Sequence, residues 1–197
     1  VVFKGHGTAI ASIIGGRSTD FAGIAPSTSL LSIEVLDQFG EGSSFTVAKG
    51  IIEAVNRGAK VINLSLGGEI HSTVLQQAVT HAIENGSILV AAVGNQGRAQ
   101  VTYPASYEGV VGVGSVDRLG RSSSFSNSGK EVDLAAPGVM VKAAWEKDEM
   151  VSFSGTSAST AFVSGAMAAL LSEYPNLEEN QIIDSVSYTH LTLPTIV

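Results

Sequence analysis

Cysteine is absent from this 197-residue chain, which excludes disulfides and thiol catalysis but leaves the compartment undetermined. Aromatic residues are only 6% and charged residues 15%, against 44% hydrophobic. That balance suits one ordinary globular domain with a real core. Positive charge is scarce: 11 Lys and Arg face 18 Asp and Glu, for a net charge of −7. A nucleic-acid backbone is therefore not an expected partner. No apolar run reaches the ~18 residues of a membrane span, and this stretch holds no basic, apolar, then small-residue leader. The opening Val1-Val2-Phe3 carries no Met, so the expectation is an excised or truncated start.

What is present is an alternation of strand-length apolar runs with segments of helical period. Leu30–Leu36, Val61–Leu66, Ile88–Val93 and Val110–Val116 are nearly continuous Val, Ile, Leu and Ala, as strands covered on both faces are. In Ser44–Arg57 the apolar residues Val47, Ile51, Ala54 and Val55 recur at spacings of three and four, and Gly58 follows as a stop. In Ser72–Asn85, Val74, Leu75, Ala78, Ala82 and Ile83 do the same before Asn85-Gly86. A third helix is expected over the small residues Ser157–Leu171, and an acidic-fronted one over Leu177–Val186. Asp117–Glu149 reads as loops and short strands. The fold class is α/β, one domain with a mostly parallel central sheet flanked by helices. From Ser187 the helical period breaks, and residues 187–197 are expected to be a non-native tail similar to translated sequencing adapter; His190 within it carries no argument.

Three short elements could carry chemistry. Phe153-Ser154-Gly155-Thr156-Ser157 places a serine at the start of a buried helix after a glycine turn, where first-turn amides are unpaired. A serine nucleophile needs a base to take its proton and donors to hold the oxyanion. His6-Gly7-Thr8-Ala9 opens a short small-residue helix, and imidazole is the side chain best suited to general-base work near neutral pH. Val90-Ala91-Ala92-Val93-Gly94-Asn95 ends a buried strand in a side-chain amide at the carboxyl edge, where open α/β sheets bind ligands. Singly, each also reads as ordinary structure: a serine cap, a structural histidine, a turn asparagine.

Their order changes the reading. His6-Gly7-Thr8, Asn63-Leu64-Ser65-Leu66-Gly67-Gly68, Ala92-Val93-Gly94-Asn95, Asp133-Leu134-Ala135-Ala136-Pro137-Gly138 and Ser154-Gly155-Thr156-Ser157 occur in succession. Gly23-Ile24-Ala25-Pro26, Val35-Leu36-Asp37, Tyr103-Pro104-Ala105 and Ser124-Phe125-Ser126-Asn127 fill the intervals. The set resembles the subtilisin-like (S8) serine peptidases from His6 to about Val186. The resemblance implies a three-layer fold and hydrolysis of polypeptides through an acyl-enzyme, with no cofactor required. It implies His6 as general base, Ser157 as nucleophile and Asn95 as oxyanion donor. It makes Ser65-Leu66-Gly67 the edge that pairs with substrate backbone, with Ala92, Val93, Gly94 and Thr102 around the residue before the scissile bond. A secreted, monomeric parent enzyme is implied by the same resemblance.

Two departures stand out. The triad aspartate of this family lies upstream of the histidine, as in the order Asp, His, Ser, and Val1–Gly5 contains no acid. Asp37, Asp117, Asp133 and Asp148 fall at positions with other roles, so truncation is the expected cause. After the nucleophile the family usually has Met-Ala, one variable residue, then Pro-His, where this chain has Ala158-Ser159-Thr160-Ala161-Phe162. Structural calcium is common in the family, but Gly15–Ala22 offers only Asp20, and no metal ligand is nominated. Two other readings compete: a catalytically dead binding module of the same fold, and a dinucleotide-binding protein suggested by the glycines of Gly109–Gly114. The latter pattern lies inside an expected strand with no helix after it.

Overall fold

The computed structural model describes residues 5–18, 21–146, 149–177 and 179–191. Four parallel strands form the central sheet in chain order: β1 (Val61–Leu64), β2 (Ile88–Ala92), β3 (Val110–Val116) and β4 (Leu134–Pro137). Helices α2 (Ser44–Asn56) and α3 (Thr73–Glu84) cover one face. Helices α4 (Thr156–Glu173) and α5 (Glu179–Leu191) cover the other. A third small core joins α1 (His6–Gly15) and the antiparallel hairpin β5 (Val141–Ala144)–β6 (Met150–Phe153) to α4.

The strand sequences dictate this layering. In β2, Leu89 and Ala91 enter the core beneath α2 and α3, whereas Ile88 and Val90 face α4 and α5. Side chains alternate faces along a strand, and here both faces are buried, so both sets are apolar. Burying each such Leu, Ile or Val contributes about 1.5–3 kcal/mol. The two helices read from periodicity begin where their caps do: Ser43 Oγ accepts from Thr46 N at 3.0 Å, and Ser72 Oγ accepts from Leu75 N at 3.4 Å. Gly58 (φ 76°) and Gly86 (φ 74°) then end them in the left-handed conformation. Helix α4 is enclosed by α1, all four sheet strands and α5, which is why its residues are small or apolar on every side.

Two expectations need correction. Leu30–Leu36 is not a strand: among the described residues it pairs with nothing, and β1 has a ladder only with β2. The segment still packs, since Ile33 and Val35 lie against the α2–α3 core. A Cβ at Gly50 would come within 2.4 Å of Val35 Cγ1, so glycine lets α2 approach it. Apolar composition selected the contact, and a ladder additionally requires a neighbouring strand. Second, α5 passes Val186 and reaches Leu191, its local ladder continuing where the apolar period stops, with Ser187 Oγ donating to Ile183 O at 2.8 Å. Between β2 and β3, where no helix is expected, residues 93–109 cross as a loop. Residues 192–197, the end of the expected tail, lie outside the described residues.

The glycines of 109–114 have structural uses. Gly109 (φ 79°) turns the chain into β3, and a Cβ at Gly112 would sit 2.2 Å from Glu131 O. These are close-approach glycines within and before a strand, and the segment after β3 runs as turns rather than a helix.

Candidate active site

His6 is the first residue of α1. Gly5 delivers it from a left-handed turn (φ 95°), and a Cβ there would strike the Trp145 ring at 2.6 Å. The imidazole packs edge-on against Phe153, ring centroids 6.5 Å apart. Burial lowers its pKa below the ordinary histidine value, because desolvation disfavours the imidazolium. A neutral ring is the form that can accept a proton. We expect an NMR titration of residues 1–197 to give a His6 midpoint below that of an exposed histidine; a midpoint above it would show that a charged neighbour outweighs burial. The linked stability has a definite sign. A depressed His pKa contributes stability above the unfolded value, and that stability is lost as pH falls toward the folded value.

Ser157 stands in the first turn of α4, held by a relay of polar contacts from β1. Its Oγ donates to Ser65 O at 3.2 Å, and Ser65 Oγ donates to Ser157 O at 2.9 Å. Asn63 Nδ2 donates to Ser65 Oγ at 2.9 Å, and Ser164 Oγ donates to Asn63 Oδ1 at 3.0 Å. This relay pins the start of α4 to the carboxyl end of β1, so the serine is placed by two rigid elements rather than by a loop.

Asn95 projects from the turn after β2. Its Oδ1 accepts from Thr156 N at 2.8 Å and from Thr156 Oγ1 at 2.9 Å. With the oxygen so engaged, the amide orientation is fixed and Nδ2 is left to donate. The turn is clamped by Asn127, which is 4% exposed. Its Oδ1 accepts from Gln96 N and Arg98 N, and its Nδ2 donates to Val93 O and Gln96 Oε1. Gly94 (φ 108°) passes so close that a Cβ would lie 2.4 Å from Asn127 Nδ2.

His6, Ser65, Leu66, Gly67, Ala92, Gly94, Asn95, Thr102 and Ser157 all line one cleft of about 560 Å³. The Ser65–Gly67 edge is tied to the opposite wall by an antiparallel bridge, Gly68 N to Tyr103 O at 2.9 Å and Tyr103 N to Gly68 O at 2.8 Å. Thr102 sits at the base, donating from Oγ1 to Ala92 O at 3.3 Å. Val93 departs from the expected set: its side chain is wholly buried in the α2–α3 core and does not reach the cleft. A strand alternates faces, so between Ala92 and Gly94 the side chain of Val93 turns inward.

None of Asp37, Asp117 and Asp133 lines the cleft. Asp37 and Asp117 each accept two amides of their own turns, and Asp133 accepts from Gly112 N at 2.8 Å. Asp20 and Asp148 lie outside the described residues. In the loop after α1, the carbonyls of Pro26 and Thr28 accept from the Arg17 guanidinium. His71 is exposed, edge-on to Tyr103 and Tyr107, while His81 is half-buried. Sequence reasoning gave no role to Thr156, Asn127, Asn63 or Ser164. The only signal for Asn127 was its place in Ser124-Phe125-Ser126-Asn127.

Comparison with known proteins places this geometry. The sequence model of the Subtilase family matches residues 2–193. The chain is 43% identical over 188 residues to a thermostable alkaline protease of Halalkalibacterium halodurans, spanning 94% of this chain and 52% of that protein. It is 44% identical to thermitase of Thermoactinomyces vulgaris, over 86% of this chain and 62% of that one. With subtilisin DY of Bacillus licheniformis the identity is 40%, over 96% and 72%. Among solved structures, a cold-adapted subtilisin-like serine proteinase superposes with a TM-score of 0.86 at 36% identity, covering 92% of this chain and 66% of that chain. The prenylagaramide maturation protease PagA gives 0.85 at 34% identity, covering 93% and 70%.

Proposed function

Since the chain belongs to the subtilase family, we propose that it carries the base, nucleophile and oxyanion donor of a serine endopeptidase. One observation carries the reading: His6, Ser157 and an amide of Asn95 locked by Thr156 converge on a single cleft. In this scheme Ser157 Oγ leaves Ser65 O and attacks the scissile carbonyl carbon while His6 takes its proton. The new oxyanion is held by Asn95 Nδ2 and the first-turn amides of α4. The C–N bond then breaks, the leaving amine takes the proton from His6, and water repeats the sequence on the acyl-enzyme. The carboxylate that orients the imidazole is proposed to come from sequence upstream of His6, since Asp37, Asp117 and Asp133 are engaged elsewhere. An extracellular location is proposed on family resemblance. No helix among the described residues is long and apolar enough to cross a membrane.

The test is covalent labelling of the protein, with the upstream carboxylate-bearing sequence present, by a fluorophosphonate, followed by peptide mapping. A single adduct on Ser157 is expected. An adduct elsewhere sinks the assignment, and absence of any adduct favours the dead binding module. The pocket floor makes a further expectation. Ala92, Gly94, Thr102 and Gly67 supply no charge, so peptide libraries should show medium to large uncharged side chains immediately before the cleaved bond. Dominant Lys or Arg at that position would contradict it.

A further inference from the structure

One formally charged acidic residue lines the cleft among the described residues: Glu41. Its loop is rigid. Asp37 Oδ1 accepts from Phe39 N at 2.8 Å and from Glu41 N at 3.0 Å, Asp37 N donates to Glu41 O at 2.9 Å, and Gly40 (φ 80°) makes the turn. The chain builds the same turn a second time over Asp117–Arg121, with the same three bonds and Gly120 (φ 74°) in place of Gly40. There the fifth residue is Arg121, whose guanidinium answers Asp117 at 2.7 Å. In the cleft copy the fifth residue is a second carboxylate, and no ion pair to either acid is found among the described residues. Arg98, near the opposite wall, is engaged with Glu69 at 2.8 Å. Beside Glu41 the cleft wall is aliphatic, formed by Leu36, Val47, Leu66 and Leu75, with Ile70 83% exposed at the rim. An aliphatic wall with a carboxylate at its mouth suits a side chain that has an apolar stem and a cationic head.

We propose that Glu41 is a specificity-determining residue that selects Arg or Lys in the substrate, at a position upstream of the residue held against Ala92 and Gly94. This rests on the endopeptidase reading and names part of its substrate class. It separates two requirements along one peptide: an uncharged side chain next to the cleaved bond and a basic one further from it. The net charge of −7 adds a general attraction for cationic peptides, but only a local carboxylate confers a preference confined to one position.

The experiment is a positional library profile of the protein with its upstream carboxylate-bearing sequence present, wild type against Glu41→Gln and Glu41→Lys, with kcat/KM then measured on matched peptides carrying Arg, Gln or Glu at the selected position. Wild type is expected to favour Arg over Gln about three- to fivefold, the range of an exposed ion pair. The ratio should fall to near one in Glu41→Gln and invert toward Glu in Glu41→Lys. The wild-type ratio should also shrink as ionic strength rises and the Debye length drops. Cleavage with the same profile in all three proteins overturns the role of Glu41 alone. Failure of wild type to cleave any library peptide overturns the endopeptidase reading and this proposal with it.

Discussion

Replacing Ser157 by Ala in the protein with its upstream carboxylate present is expected to lower kcat by about six orders of magnitude, with KM little changed. Two cleft hydroxyls lie on the first turn of α4: that of Thr156 is wholly buried and bonded to Asn95 Oδ1, whereas Ser157 faces the cleft with the relay Ser164–Asn63–Ser65 fixing its backbone, so no neighbour can slide into its place. Ser65, the nearest alternative, spends its hydroxyl on Ser157 O. The size of the loss belongs to subtilisin, where removing serine or histidine alone costs about 2 × 10⁶ and removing both costs little more. The same non-additivity is expected here: His6→Ala should match Ser157→Ala, and the double variant should be no worse than either. A double variant falling much further would mean that the two side chains act in separate steps. Activity of Ser157→Ala within tenfold of wild type would remove the nucleophile assignment altogether.

The sequence made some of this legible and hid the rest for physical reasons. The strands Val61–Leu64, Ile88–Ala92 and Val110–Val116 could be read because both faces of the sheet are covered, which favours runs dominated by Val, Ile, Leu and Ala, broken only by Asn63 in β1 and by two glycines and Ser115 in β3. Helices α2 and α3 could be read because each presents one face to the core and stops at a left-handed glycine. Leu30–Leu36 could not be settled, because composition reports burial whereas a strand is defined by what pairs with it. His6, Asn95 and Ser157 were visible as motifs, and the structure brings them to one cleft. Val93 was carried along with its neighbours into the pocket wall, although strand alternation sends its side chain to the core. Asn63, Thr156 and Asn127 lay inside the motifs and Ser164 did not, but in no case did the sequence show which partner each one holds. Asn63 and Ser164 are 101 positions apart in sequence, and Thr156 and Asn95 are 61 apart. Their pairing exists only once α4 has docked on the ends of β1 and β2.

That docking leads to the second large effect, at Asn95. Asn95→Ala should lower kcat by about 10²–10³ and leave KM nearly unchanged, because the amide donates strongly only once the carbonyl oxygen has become an oxyanion. The range is the one known for the oxyanion amide of a subtilisin; the assignment to Asn95 follows the family resemblance, and the prediction for its anchor comes from this structure. Thr156 holds Asn95 Oδ1 through both its amide and its hydroxyl, and is itself wholly buried. Thr156→Val keeps the backbone donor and the volume but removes the hydroxyl, so the amide should become mobile rather than lost. A kcat decrease on the order of tenfold is expected, well below that of Asn95→Ala, since one of two anchoring hydrogen bonds survives. A double-mutant cycle separates positioning from general damage. If Thr156 acts through Asn95, adding Thr156→Val to Asn95→Ala should cost almost nothing more in kcat, and its effect on the melting point should shrink too, because the Thr156 hydroxyl has already lost its partner. Full additivity in kcat would show that Thr156 supports the site by some route other than the Asn95 amide, and a change confined to KM would show that Asn95 binds substrate rather than the oxyanion.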